Sequence, residues 1–225
     1  QELFLYDIEA SIAHAEELKA INILSASEFK KMVSALKKLA KLFATNKFKL
    51  TKKYEDCHSA IEDFLIKELG DLGKKIHTAR SRNDQVLVAM HLYLKQELTE
   101  TKTQVIALFD LLLELAEKHQ DDLIPGYTHL QVAMPSSIGM WLSGYAESLV
   151  DDLYFWEAAF KIADQNPLGS AAGYGSAFPI DRELTTKIMA FKQPHGPKLR
   201  AVASPITILT HTSGRHSSGY DTRHL

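Results

Sequence analysis

The placement of proline and glycine most constrains what this chain can fold into. The first proline of the 225 residues is Pro125, and before it the only glycines are Gly70 and Gly73. Strands and tight turns need more punctuation than that, so the first 124 residues are expected to be almost wholly helical. Residues 2–19 read as a first helix. Ser25-Ala26-Ser27-Glu28 is a capping box that opens a second, with Phe29, Met32, Val33, Leu36, Ala40 and Phe43 on one face. Ser59-Ala60-Ile61-Glu62 is another such box, opening a helix that ends at Gly70. Residues 86–119 contain neither proline nor glycine and read as one helix, approaching ~50 Å at ~1.5 Å per residue. Residues 136–165 read as the next, with Gly139 and Gly144 leaving room for a neighbouring helix. Val105, Leu108, Leu112 and Leu115 form one apolar stripe on the longer helix, and Ile106, Phe109 and Leu113 a second. Leu142, Tyr145, Leu149, Leu153, Trp156 and Phe160 continue the pattern on the other. Two such helices cannot cover each other's faces, so a shared bundle with further helices is expected.

Composition narrows the partners. With 26 basic and 28 acidic residues the net charge is −2, which gives no general affinity for nucleic acid or an anionic membrane. No apolar run approaches the ~20 residues of a membrane span, and no signal peptide is read. The single Cys57 excludes an internal disulfide and favours a reducing compartment such as the cytoplasm.

Two stretches concentrate polar chemistry. Residues 75–86 read Lys-Ile-His-Thr-Ala-Arg-Ser-Arg-Asn-Asp-Gln-Val, two guanidiniums, an imidazole, hydroxyls and carboxamides beside one carboxylate. Burying such a run without partners costs several kcal/mol per group. It is therefore either a solvated loop or a site for a polar, anionic ligand. Ser81, Asn83 and Asp84 stand where the N–H groups and positive end of the following helix meet an anion. The second stretch, Pro125-Gly126-Tyr127-Thr128-His129-Leu130-Gln131, puts a Pro-Gly turn before a loop hydroxyl and imidazole. A lone loop histidine is by default solvated or a cap. His58 and Glu62, four apart on a helix, offer half a metal site that no further His, Cys, Asp or Glu set completes. Residues 169–175, Gly-Ser-Ala-Ala-Gly-Tyr-Gly, lack the Lys-Ser/Thr of a phosphate loop and follow a helix, so they read as a structural turn.

The run Arg80-Ser81-Arg82-Asn83-Asp84-Gln85 and the run Gly126-Tyr127-Thr128-His129-Leu130-Gln131 together resemble two signatures of the argininosuccinate lyase family, in the fumarase/aspartase superfamily of all-helical β-elimination enzymes. The resemblance covers roughly residues 5–191. It implies an all-α, long-helix bundle, incomplete at its C-terminus, in three parts: an N-terminal helical domain over 1–85, part of the central bundle over 86–191, and a non-family tail over 192–225, expected to be irregular. It implies cleavage of argininosuccinate into arginine and fumarate without metal or organic cofactor, in a cytoplasmic homotetramer. His129 would take part in acid–base chemistry with Thr128 beside it. Ser81, Arg82, Asn83, Thr128 and Gln131 would hold the substrate, with Ser11 and His58 as secondary candidates and Arg80 bracing the loop.

A third family signature, a mobile Gly-Ser-Ser-x-Met-Pro-x-Lys-x-Asn-Pro loop carrying the proton-abstracting serine, has no match here. The expectation is a C-terminally truncated lyase, inactive as this chain. The alternatives are another superfamily lyase, such as one acting on adenylosuccinate, and a non-enzymatic, crystallin-like relative.

Overall fold

A computed structural model of the chain describes residues 2–195. Among them run α1 (Phe4–Ala20), α2 (Ala26–Ala44), α3 (Cys57–Leu69), the single turn α4 (Asp71–Lys74) with a 3-10 turn at Lys75–His77, and the long α5 (Arg82–Lys118). After these come β1 (Leu123–Thr128), β2 (Gln131–Ser137), α6 (Ile138–Ala163), β3 (Gln165–Asn166), α7 (Arg182–Ile188) and β4 (Gln193–Pro194). The helical expectation holds to the end of α5. The strands are the departures.

The helix starts show which caps compete best. At α2 the Ser25 hydroxyl accepts from the Glu28 N–H while the Glu28 carboxylate accepts from the Ser25 N–H, the reciprocal box expected. At α3 the cap is Asp56, which accepts from the Ser59 N–H at 2.6 Å, so this helix begins before the Ser59 box would start it. An ionised carboxylate there both accepts from a free N–H group and complements the positive helix end. Gly70 closes α3 as expected, at φ 62°. α5 begins at Arg82 rather than 86, because Ser81 caps it: the Ser81 hydroxyl accepts from the Asn83 N–H at 3.3 Å.

Packing divides the chain into two units. The first takes in the chain up to Lys95 and from Ile162 onward. Its larger core joins Phe4, Ile8 and Leu18 of α1 to Met32, Leu36 and Leu39 of α2 and Ile61 and Leu65 of α3. The α2 face is thus Met32–Ala35–Leu36–Leu39, with Phe29, Ala40 and Phe43 partly buried at its rim. A second cluster packs Ala10 and Ala13 of α1 against Val88 and Leu92 of α5 and against Leu168, Met189 and Phe191. β3 and β4 form a short parallel pair, Gln165 to Gln193 and Asn166 to Pro194. Of the tail expected to be irregular from 192, these residues pair and His195 is buried. Residues 196–225 lie outside the described residues.

The second unit is Gln96–Lys161. In it β1 and β2 form an antiparallel hairpin, with Thr128 opposite Gln131 and an irregularity between Pro125 and Tyr127. The expected Pro125-Gly126 turn is instead part of β1, and the irregularity is a bulge on the facing strand, where Ala133 and Met134 stand opposite Gly126. The chain reverses at His129 and Leu130, whose φ values of 50° and 63° are those of a tight primed turn matching the twist of the strands. At the start of α6, a Cβ on Gly139 would lie 2.5 Å from the carbonyl oxygen of Ala116, so the close approach this glycine permits is to α5 of its own chain. Ile106, Leu108, Leu111 and Leu113 of α5 and Trp141, Tyr145, Tyr154 and Phe155 of α6 remain exposed. No described helix is long and apolar enough to cross a membrane.

Candidate active site

The loop before α5 is held from beneath by α1. His14 Nε2 lies 2.9 Å from the carbonyl oxygen of Thr78, so that nitrogen carries the hydrogen. Its Nδ1 must then accept, and it faces Glu17 Oε2 at 3.1 Å. Burial drives His14 down to about 3, aided by the Arg80 charge, which keeps the ring neutral. Burial, helped by the Asp181 charge, raises Glu17 to about 7. Below that value a protonated Glu17 donates to a neutral His14, which donates to the loop. Ala79 follows at φ 62°, a left-handed conformation unusual for a side chain with a Cβ.

Arg80 is buried and its Nη1 donates to Ser11 Oγ at 3.0 Å. Ser11, also buried, donates to Asp7 Oδ1 at 3.4 Å. Asp84 turns inward rather than toward a ligand: Oδ1 accepts from the Ser81 N–H at 2.9 Å, and Oδ2 from the N–H groups of Gly169 and Ala171 at 3.1 and 2.8 Å. The glycine-rich turn between α6 and α7 therefore cradles a carboxylate of this chain. Gly169 is required there, with φ 86° and a would-be Cβ 2.8 Å from Arg182 Cγ.

That leaves Ser81, Arg82 and Asn83 at the outer end of α5. Asn83 is exposed; Ser81 and Arg82 are half-buried. The Arg82 guanidinium rests over the start of α3. Its Nη1 donates to Gln85 Oε1 at 3.0 Å, while Asp56 and Glu62 stand 3.6 and 3.7 Å away. Those two contacts are long and weak, so an incoming carboxylate can replace them with a two-point contact. His58 is not the surface partner of Glu62 that its spacing offers. It is buried, with Nδ1 2.6 Å from Asp7 Oδ2. Burial lowers its affinity for a proton, but the Asp7 hydrogen bond and charge prevail and lift it to about 9. The fold also brings Cys57 here, so donor atoms of Asp7, Cys57 and His58 lie within 4.8 Å of one another, a set that sequence spacing did not reveal. The Asp7–His58 separation is shorter than the ~3.3 Å that two ligands of one tetrahedral zinc ion keep. The cluster is a hydrogen-bonded pair.

Thr128, His129 and Gln131 belong to the second unit, at the tip of the hairpin, and all are exposed. Ser11, His58, Ser81, Arg82 and Asn83 belong to the first. What sequence reasoning missed is the buried support: Asp7, Gln85, and the His14–Glu17 pair. The available signal was in α1, where Asp7 and Ser11 stand one turn apart and align with Phe4, Ile8, Ala15 and Leu18, on a face that has to be buried.

The profile of a family described as lyase matches residues 2–211. The chain belongs to this lyase family. The relatives it matches include argininosuccinate lyases of Phocaeicola vulgatus, 49% identical over 186 residues, and of Stenotrophomonas maltophilia, 47% identical over 191. The matches cover 83% and 85% of this chain but 42% and 44% of those relatives, so the chain spans less than half their length. Among solved structures, an EDDS lyase variant with bound fumarate matches 95% of this lyase-family chain at a TM-score of 0.81 and 25% identity, covering 43% of that enzyme. A fumarate lyase:delta crystallin from Brucella melitensis, bound to cobalt, shares the fold at a TM-score of 0.75 and 16% identity.

Proposed function

We propose that this chain carries the carboxylate-binding and acid–base parts of an argininosuccinate lyase, which splits argininosuccinate into arginine and fumarate. The observation that carries this is the 49% identity to an argininosuccinate lyase across 186 residues, a span that takes in both polar signatures. Breaking a C–N bond by β-elimination removes a weakly acidic C–H beside a carboxylate and builds negative charge on that carboxylate. Fixed donors aimed at it are worth several kcal/mol. Arg82 receives the carboxylate, with the Ser81 hydroxyl and Asn83 amide beside it at the positive end of α5. Thr128 and Gln131 hold the substrate, and His129 moves a proton near neutral pH. Ser11 and His58 act in support. The proton-abstracting serine belongs to the signature that the 225 residues do not contain.

In this reading residues 1–85 form the N-terminal helical domain and 86–191 part of a central bundle. The enzyme works as a homotetramer in the cytoplasm. Exposed apolar residues along α5 and α6 support assembly, and the lone Cys57 supports a reducing compartment.

The test is a chimera in which this chain replaces the matching part of the Phocaeicola vulgatus relative, with fumarate release followed by ultraviolet absorbance. Argininosuccinate should be cleaved, and Arg82→Ala or His129→Asn should abolish turnover. Near-normal activity in either variant would remove that residue's role. Cleavage of adenylosuccinate instead would replace the substrate.

A further inference from the structure

Asp7 belongs to no motif, yet, like Asp84, its carboxylate gathers three partners around the loop before α5. It is fully buried in α1. Gln85 Nε2 stands 3.0 Å from each of its oxygens, His58 Nδ1 2.6 Å from Oδ2, and the Ser11 hydroxyl 3.4 Å from Oδ1. An acceptor-only group in this position decides which way the Gln85 carboxamide faces. With its NH₂ committed to Asp7, Gln85 must present its oxygen on the other side, where it meets Arg82 Nη1 at 3.0 Å. A flipped amide would point N–H groups at the guanidinium and repel it. Arg82 has no comparably close partner among the described residues: Ser59 Oγ is at 3.5 Å, Asp56 at 3.6 Å and Glu62 at 3.7 Å.

We propose that Asp7 is a positioning residue of the substrate site: by orienting Gln85 it fixes the Arg82 guanidinium where a substrate carboxylate is received. It touches no substrate itself. The inference rests on the lyase reading only for the identity of the ligand, since the Asp7–Gln85–Arg82 relay is a property of the unliganded chain. His58 shares the same carboxylate, so α1, α3 and α5 are registered to one another at a single anion.

The conservative variant separates orientation from charge. In Asp7→Asn the side-chain oxygen still accepts from Gln85, and its NH₂ faces His58, which must then be neutral. Gln85 and Arg82 should stay in place while His58 loses its raised proton affinity. Asp7→Ala removes both.

The experiment uses side-chain nitrogen NMR on the 225-residue chain, with fumarate as the probe ligand. Asp7→Ala should shift the Gln85 carboxamide and Arg82 guanidinium resonances together, and Asp7→Asn should restore both while moving the His58 ring titration. Gln85→Met should shift Arg82 and leave His58 unmoved. Fumarate binding should weaken about tenfold in Asp7→Ala and in Gln85→Met, with no further loss in the double variant. Arg82 resonances that stay put in Gln85→Met, or additive losses in the double variant, would overturn the relay. If Asp7→Ala does not fold, Asp7→Asn and Gln85→Met still decide it. A wild-type chain that ignores fumarate would count against the lyase reading alone, because the ligand-free resonances test the relay without it.

Discussion

Replacing Glu17 with glutamine isolates the buried acid beneath the signature loop. The introduced carboxamide can donate to His14 Nδ1 as the protonated acid does, so the geometry is kept and only a titration is removed. In the folded chain Glu17 is raised from 4.5 to about 7, chiefly by burial. The folded state therefore keeps a proton that the unfolded chain gives up. Wild-type stability from this group is complete below pH 4.5 and is lost as the pH climbs to about 7. At ~1.4 kcal/mol per pH unit the loss comes to roughly 3 kcal/mol. His14 works in the opposite sense. Lowered from 6.5 to about 3, it costs stability as the pH falls below 6.5. Between pH 4.5 and 6.5 folded and unfolded wild type each bind one proton at this pair, and its contribution is flat. In Glu17→Gln only the His14 term survives, so stability should slope down on acidification through that window. Urea unfolding of both proteins across this range is the assay. The gap between them should move in the variant's favour by ~3 kcal/mol from pH 4.5 to above 7, more than ~1 M in midpoint. A gap constant to within ~1 kcal/mol would mean that Glu17 is ionised in the fold and His14 protonated, refuting the neutral pair.

Asp84→Ala leaves the N–H groups of Ser81, Gly169 and Ala171 without their acceptor and should cost about 3 kcal/mol or more in urea unfolding. His58, raised from 6.5 to about 9, contributes stability that is full below pH 6.5 and fades as the pH rises through 9; Asp7→Asn should abolish that alkaline loss, seen as a flattened stability profile. Leu130 occupies a left-handed position at φ 63° while 99% exposed, so Leu130→Gly should stabilise the hairpin by about 1 kcal/mol, read as slower amide exchange along β1 and β2. In the chimera, Arg82→Lys should lose most of the fumarate release, because an ammonium cannot make the two-point contact of a guanidinium.

The helices of this chain were legible because periodicity and capping are local. The Ser25 box, the Gly70 stop and the unbroken run of α5 each follow from residues a turn apart. The hairpin was not legible, since it contains Pro125 and Gly126 inside a strand and turns on a histidine and a leucine, where a primed turn favours Asn-Gly, Asp-Gly or Gly-Gly. The site divides in the same way. Ser81, Arg82 and Asn83 stand out as a polar run, whereas Asp7 is one acid on an otherwise apolar face. Its partners His58 and Gln85 lie 51 and 78 residues further on. Asp84 looked like a ligand group by its place at a helix start. Only the fold shows that a distant turn already satisfies it.

That clasp on Asp84 sets an order of events during synthesis. Gly169 leaves the ribosome 85 residues after the aspartate it binds, which at ~5–20 residues per second is a wait of roughly 4 to 17 s. α1, α2 and α3 can close their shared core in that interval, because every member of it lies before Lys95. The start of α5 cannot be finished in the same way. Its buried carboxylate spends those seconds with one backbone partner in place of three, and the polar run beside it stays unanchored on that side. The nascent chain thus presents this polar loop, half-built, to the translation machinery and its attendant chaperones.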